Sequence, residues 1–148
     1  MAIIMDLRLF EINVAVRNVD EAVSSYVKLF ADLGLGPGQQ FEVKKEPIQA
    51  KFNRMPLELA GGSKAFLSMM ESTAPNSPID RFIKARGEGL FSLSFKVPDI
   101  DHVAKLLNQK GIRTFPQTPI DFLSERTIWI HPSEKVAHGV LLELHEQK

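Results

Sequence analysis

Between Phe10 and Val16 apolar and polar side chains alternate, with Phe10, Ile12, Val14 and Val16 set against Glu11, Asn13 and Ala15. The alternation returns 81 residues later, where Phe91, Leu93, Phe95 and Val97 stand against Ser92, Ser94 and Lys96. A period of two with one apolar face predicts a β-strand in each place. Both strands lead into a helical pattern through a cap signal. Asn18, with Glu21 three residues on, forms a capping box ahead of a face made by Val19, Ala22, Val23, Tyr26, Leu29, Phe30 and Leu33, stopped by Gly34 and Gly36. Asp99 caps the second helix, whose Ile100, Val103, Ala104 and Leu107 face inward before Gly111.

Three further strands are predicted in each half. Phe41–Val43, Ala50–Leu59 and Ala65–Glu71 serve the first, with Gly61-Gly62 as a tight turn. Ile112–Phe115, Thr127–His131 and Val140–His145 serve the second, leaving 117–123 with Pro119 as a long mobile loop bordering a site. Ser77-Pro78 followed by Asp80 starts a short linker helix that ends at Gly87. The chain therefore reads as α+β, a pseudo-duplication of two βαβββ modules at about 8–72 and 89–146, with the linker helix at about 77–87, in a single domain over 1–148.

Composition narrows the function. Lys+Arg and Asp+Glu are 18 each, so no net field favours nucleic acid or an anionic membrane. Without cysteine there is no disulfide, thiolate nucleophile or thiolate metal site. Met1–Met5 is apolar but too short for a secretory leader, and no apolar run approaches the roughly 18 residues of a bilayer span. The expectation is a soluble cytoplasmic protein.

The polar strand faces carry Glu11 and Asn13 in one half, Ser92, Ser94 and Lys96 in the other. The ordinary outcome for such faces is solvation on one side of an antiparallel sheet. The sharper alternative is a shared cleft lined by them. Glu143 stands alone inside the apolar run Val140–Leu144, and a carboxylate there calls for partners. It corresponds to Ser68 of the first half. Of the histidines, His102 reads as solvent-facing, His131 and His138 as strand-end and loop residues, and His145 as sharing a face with Glu143. No phosphate loop, nucleophile elbow or His-Glu-x-x-His pattern is present.

Residues 12–30, the linker Asn76-Ser77-Pro78-Ile79 through Arg86-Gly87-Glu88-Gly89-Leu90, and the close His131-Pro132 followed by Gly139–Leu144 resemble the vicinal-oxygen-chelate superfamily of glyoxalases, bleomycin-resistance proteins and extradiol dioxygenases. Within it the chain is most similar to the methylmalonyl-CoA epimerase branch. The resemblance implies a cupped mixed sheet of two βαβββ modules, a homodimer, and a divalent metal held from positions that fall on Glu11, Ser68, Ser92 and Glu143. Only Glu143 keeps the residue type of the branch. Loss of both imidazoles removes the groups suited to cobalt, zinc or nickel, so no metal cofactor is expected beyond a weak hard cation such as magnesium or calcium.

Epimerisation in that branch removes a proton beside a thioester carbonyl with two carboxylates. The resemblance puts Glu143 in one role and Glu46 near the other, with Glu11 a further acid–base candidate; Asn13, Ser68, Ser92 and Ser94 line the cavity. Were Glu11 and Glu143 to converge, one of them would hold its proton or the pair would share one. Two readings follow: a divergent isomerase or lyase acting on a small carbonyl or carboxylate compound such as an acyl-CoA, or a non-catalytic binding protein of the bleomycin-resistance type. A purely structural dimer module is a third.

Overall fold

The computed structural model describes residues 6–147. The segment Met1–Met5, weighed above as a leader, lies outside the described residues. The elements run β1 (Arg8–Ala15), α1 (Val19–Phe30), β2 (Gln39–Val43), β3 (Ala50–Glu58), β4 (Lys64–Ser72), α2 (Pro78–Arg86), β5 (Gly89–Val97), α3 (Ile100–Gln109), β6 (Phe115–Phe122), β7 (Glu125–Ile130) and β8 (Leu141–Glu146). This is an α+β fold in which strand, helix and three strands occur twice. Contacts group the backbone into two compact units, Glu11–Phe91, and 92–147 together with 6–10.

In the first unit the strand order is β2-β3-β4-β1, with β1 parallel to β4 and the others antiparallel. In the second it is β6-β7-β8-β5, with β5 parallel to β8. The registers repeat as well. Asn13 lies opposite Ser68 on β4, and Ser94 opposite Glu143 on β8. The assignment of Glu143 to the place of Ser68 is thus a matter of hydrogen-bond register.

Each module starts its helix in the same two ways. Asn18 accepts from the Glu21 N–H at 2.9 Å, and Asp99 from that of His102 at 3.1 Å. The carboxylate of Glu71, on β4, accepts from the Val19 N–H at 2.8 Å, while Glu146, on β8, accepts from Ile100 at 3.3 Å. Acidic groups on the last strand so satisfy a helix N–H that has no partner within the helix, at the positive end of its dipole.

The sheets take helices on their apolar faces. Val19 and Val23 pack with Val16, Leu35, Met55 and Met69, and Ile100 and Ala104 pack with Val97, Ile128, Ile130 and Leu144. Burying a side chain such as Ile100 contributes about 1.5–3 kcal/mol. In the first unit α2 covers part of the opposite face. Ser77 caps it by accepting from Asp80, and Ile79, Phe82 and Ile83 lie against Ala15, Phe52, Met70 and Phe91.

Four expectations need correction. The apolar stripe of α1 does not stay inside: Leu29, 69% exposed, lies well round the helix from the buried Val19 and Val23, and Leu33, 81% exposed, falls in a 3-10 turn at Ala31–Leu33 before Gly34. The segment 117–123 is mostly strand, while 112–114 is not; β6 is an edge strand paired only with β7, where Pro116 and Pro119 are tolerated. His102 is half-buried rather than solvent-facing. The polar residues Glu11, Asn13, Ser68, Ser92 and Ser94 are buried, not a solvated face.

Candidate functional site

Glu143 is the centre of the polar cluster in the second unit. Its neighbours are set by register, with Ser94 across from it on β5 and Trp129 on β7. The hydroxyls of Ser92 and Ser94 each donate to Oε2 at 2.9 Å, and the Trp129 indole N–H donates to Oε1 at 2.9 Å. Trp129 is itself held between aromatic rings, stacked on Phe115 at 6.0 Å and edge-on to Phe122 at 5.3 Å. The half-buried carboxylate therefore sits beside an apolar wall with its orientation fixed.

The same face continues one strand repeat further. Lys96 pairs with Glu125 at 2.5 Å and lies 4.3 Å from the centroid of the Phe10 ring. His145 Nδ1 is 3.0 Å from Thr127 Oγ1 and 3.2 Å from Glu125 Oε2. His145 thus belongs to a Lys–Glu–His network.

The polar cluster of the first unit is built around an ion pair. Arg54 Nε donates to Glu11 Oε2 at 2.6 Å, with Glu11 buried and about a third of the Arg54 side chain exposed. The guanidinium lies 5.1 Å from the Phe41 ring centroid and 5.4 Å from that of Phe66, within cation–π reach of both. On the sheet Arg54 faces Ser68, whose fully buried Oγ has no hydrogen-bond partner among the described residues. Gly38 fixes this arrangement from the neighbouring strand's lead-in. A Cβ there would fall 1.9 Å from the Arg54 carbonyl oxygen, and the Asn53 side chain accepts from the Gly38 N–H at 2.9 Å.

No protein-family model matches the chain. It is 28% identical over 142 residues to YqjC of Bacillus subtilis (strain 168), covering 95% of this chain and 93% of that one. Among solved structures, a methylmalonyl-CoA epimerase variant of Streptomyces coelicolor in complex with 2-nitronate-propionyl-CoA matches with a TM-score of 0.76 at 26% identity, over 95% of this chain and 96% of that one. The epimerase of Mycobacterium tuberculosis gives 0.75 at 27%, over 95% and 88%. A Bacillus halodurans C-125 protein gives 0.79 at 23%, over 97% and 96%. The fold is that of methylmalonyl-CoA epimerase.

Against the epimerase-derived ligand positions, the donor set does not fit a divalent metal. Glu143 accepts on both oxygens from three donors. Glu11 lies against a guanidinium, whose charge would repel an added cation. Ser68 and Ser92 offer neutral hydroxyls, and neither imidazole of the branch is present. Among the described residues, Asp99, Asp101 and Glu146 do bring carboxylates within metal-binding distance of one another. Each is engaged at the start of α3: Asp99 as cap, Glu146 on the Ile100 N–H, and Asp101 through two hydrogen bonds to Arg126 at 2.8 and 3.0 Å.

The sequence-derived residues thus fall into two sets. Ser92, Ser94 and Glu143 meet in one cluster; Asn13 and Ser68 are cross-strand neighbours, with Glu11 on the same strand as Asn13. Glu46 sits in the exposed turn between β2 and β3. Sequence reading missed Arg54 and Trp129. The signal was present, because Trp129 follows Arg54 by 75 residues, the same interval as from Ser68 to Glu143. A cleft of about 710 Å³ opens elsewhere in the first unit, lined mainly by Phe30, Leu33, Leu35, Pro56, Leu57 and Leu67. It is apolar apart from Glu58 and Lys64, and none of the polar-cluster residues line it.

Proposed function

We propose that this protein binds small carbonyl or carboxylate compounds, acyl-CoA thioesters foremost, and moves a proton next to the carbonyl as a divergent isomerase or lyase. The observation that carries this is Glu143, the one residue of the implied ligand set that keeps its identity, held by Ser92, Ser94 and Trp129 beside an aromatic wall. Support for the ligand class comes from the epimerase complex with an acyl-CoA analogue, to which the chain is similar over 95% of its length.

In the proposed step Glu143 takes the proton from the carbon next to the thioester. The C–H bond pair moves into the carbonyl and leaves an enolate oxygen. Return of a proton from the same carboxylate, after exchange with solvent, labels the carbon without net reaction. Incubation with propionyl-CoA and methylmalonyl-CoA in deuterated water tests this by mass spectrometry. Deuterium uptake that Glu143→Gln abolishes supports the reading. Uptake that persists in that variant removes Glu143 from the role.

One feature favours the second reading, a binding protein without turnover. Three donors already engage both oxygens of the Glu143 carboxylate, which leaves it fewer lone pairs to receive a substrate proton. Under that reading calorimetry detects ligand binding while no deuterium enters. The homodimer is part of the proposal too. Exposed Leu29, Phe30 and Leu33 supply apolar surface for a second copy, and sedimentation equilibrium reads the mass directly.

A further inference from the structure

We infer that the Arg54 guanidinium stands in for the divalent cation of this fold, as a fixed cation that holds an anionic oxygen of the ligand. Glu11 and Ser68 are the two positions from which the first module would hold a metal; Arg54 is ion-paired with the first at 2.6 Å and lies opposite the second on the sheet. The Phe41 and Phe66 rings lie beside the guanidinium, and Gly38 permits the close strand approach that sets its backbone. A guanidinium so held needs little reorganisation to meet an oxyanion, and its planar fork suits a carboxylate or enolate oxygen. About a third of the side chain remains exposed, so solvent and solutes reach it. The buried Ser68 hydroxyl, without a partner among the described residues, adds a second polar group at the same place. The ligand arm of this inference rests on the acyl-thioester reading above; the cation arm does not.

Both arms are tested on the full chain after chelator treatment. Equilibrium dialysis against Mn²⁺ and Co²⁺ measures ion uptake, and calorimetry with malonyl-CoA measures anion binding. The wild type is expected to take up neither ion stoichiometrically. Arg54→Gln, by uncovering the Glu11 charge, raises ion affinity by at least roughly tenfold and lowers malonyl-CoA affinity by a similar factor. Arg54→Lys keeps the charge and stays poor in metal, yet loses part of the malonyl-CoA affinity because an ammonium lacks the fork. Stoichiometric Mn²⁺ or Co²⁺ in the wild type, or in Arg54→Lys, overturns the inference; so does an Arg54→Gln protein that binds the ions no better than the wild type. Should Arg54→Gln not fold by circular dichroism, the wild-type and Arg54→Lys dialyses decide. Failure of malonyl-CoA to bind the wild type counts against the thioester reading, while the ion measurements still decide the place of Arg54.

Discussion

On β3 the residue opposite the middle of the last strand is Arg54, and on β7 the residue at the matching place is Trp129. Around them the backbone registers agree, yet the polar contents are exchanged. The first unit puts its carboxylate on the opening strand, as Glu11, and answers it with a full positive charge. The second puts it on the closing strand, as Glu143, and answers it with two hydroxyls and an indole N–H. The comparison teaches that a duplicated scaffold preserves helix starts and strand register more strictly than the chemistry on its polar face. Glu71 and Glu146 perform the same task at equivalent places, whereas Glu11 and Glu143 do not.

Breaking the first unit's answer is expected to have the largest effect. Arg54→Ala leaves Glu11 buried beside a lost cation and costs about 2–4 kcal/mol, less than for a fully buried pair because Arg54 is part-exposed. Urea denaturation measures it, and adding Glu11→Gln recovers part of the loss. The second unit is less sensitive. Trp129→Phe keeps the aromatic contacts with Phe115 and Phe122 but removes one charge-assisted hydrogen bond, for about 1.5 kcal/mol by the same assay.

A smaller effect, of opposite sign, separates the two hairpin turns. The first unit uses Gly61 and Gly62 at φ 82° and 80°, whereas the second uses Leu123 and Ser124 at φ 50° and 69°. Positive φ is costly for leucine and easier for asparagine, so Leu123→Asn gains about 0.5–1 kcal/mol, read as a rise in Tm.

The smallest effect concerns the start of α2. The side-chain hydrogen bond from Lys84, and next the backbone N–H of Asn76, hold the Asp80 carboxyl below the usual aspartate range. A group lowered in the folded state contributes stability above its unfolded pKa, and this is lost as pH falls through the folded value. Asp80→Asn is therefore expected to melt slightly below the wild type at neutral pH and to converge with it in acid, as followed by thermal melts across that range.

Much of this architecture was legible because period-two strands and helix caps are local signals. The repeat of Phe10–Val16 at Phe91–Val97 placed both opening strands, and Asn18, Ser77 and Asp99 marked the helix starts. β6 was hidden by Pro116 and Pro119, and its turn lacks the Asn-Gly or Gly-Gly signature that announces a two-residue hairpin. Glu11, Ser68, Ser92 and Glu143 were legible as positions, but their partners were not. Arg54 meets Glu11 across 43 residues of chain, and a charged residue in a strand reads as surface until register places it. The same holds for Glu71 and Glu146, whose capping of a distant helix has no local trace.

Ligand chemistry on an epimerase fold without a metal is the reading on which the rest depends. Its most direct test is the rate of deuterium uptake into propionyl-CoA or methylmalonyl-CoA by the wild type in excess EDTA. Uptake is expected at the same rate with and without chelator. Uptake that EDTA abolishes and Co²⁺ restores, or no uptake under either condition, contradicts it.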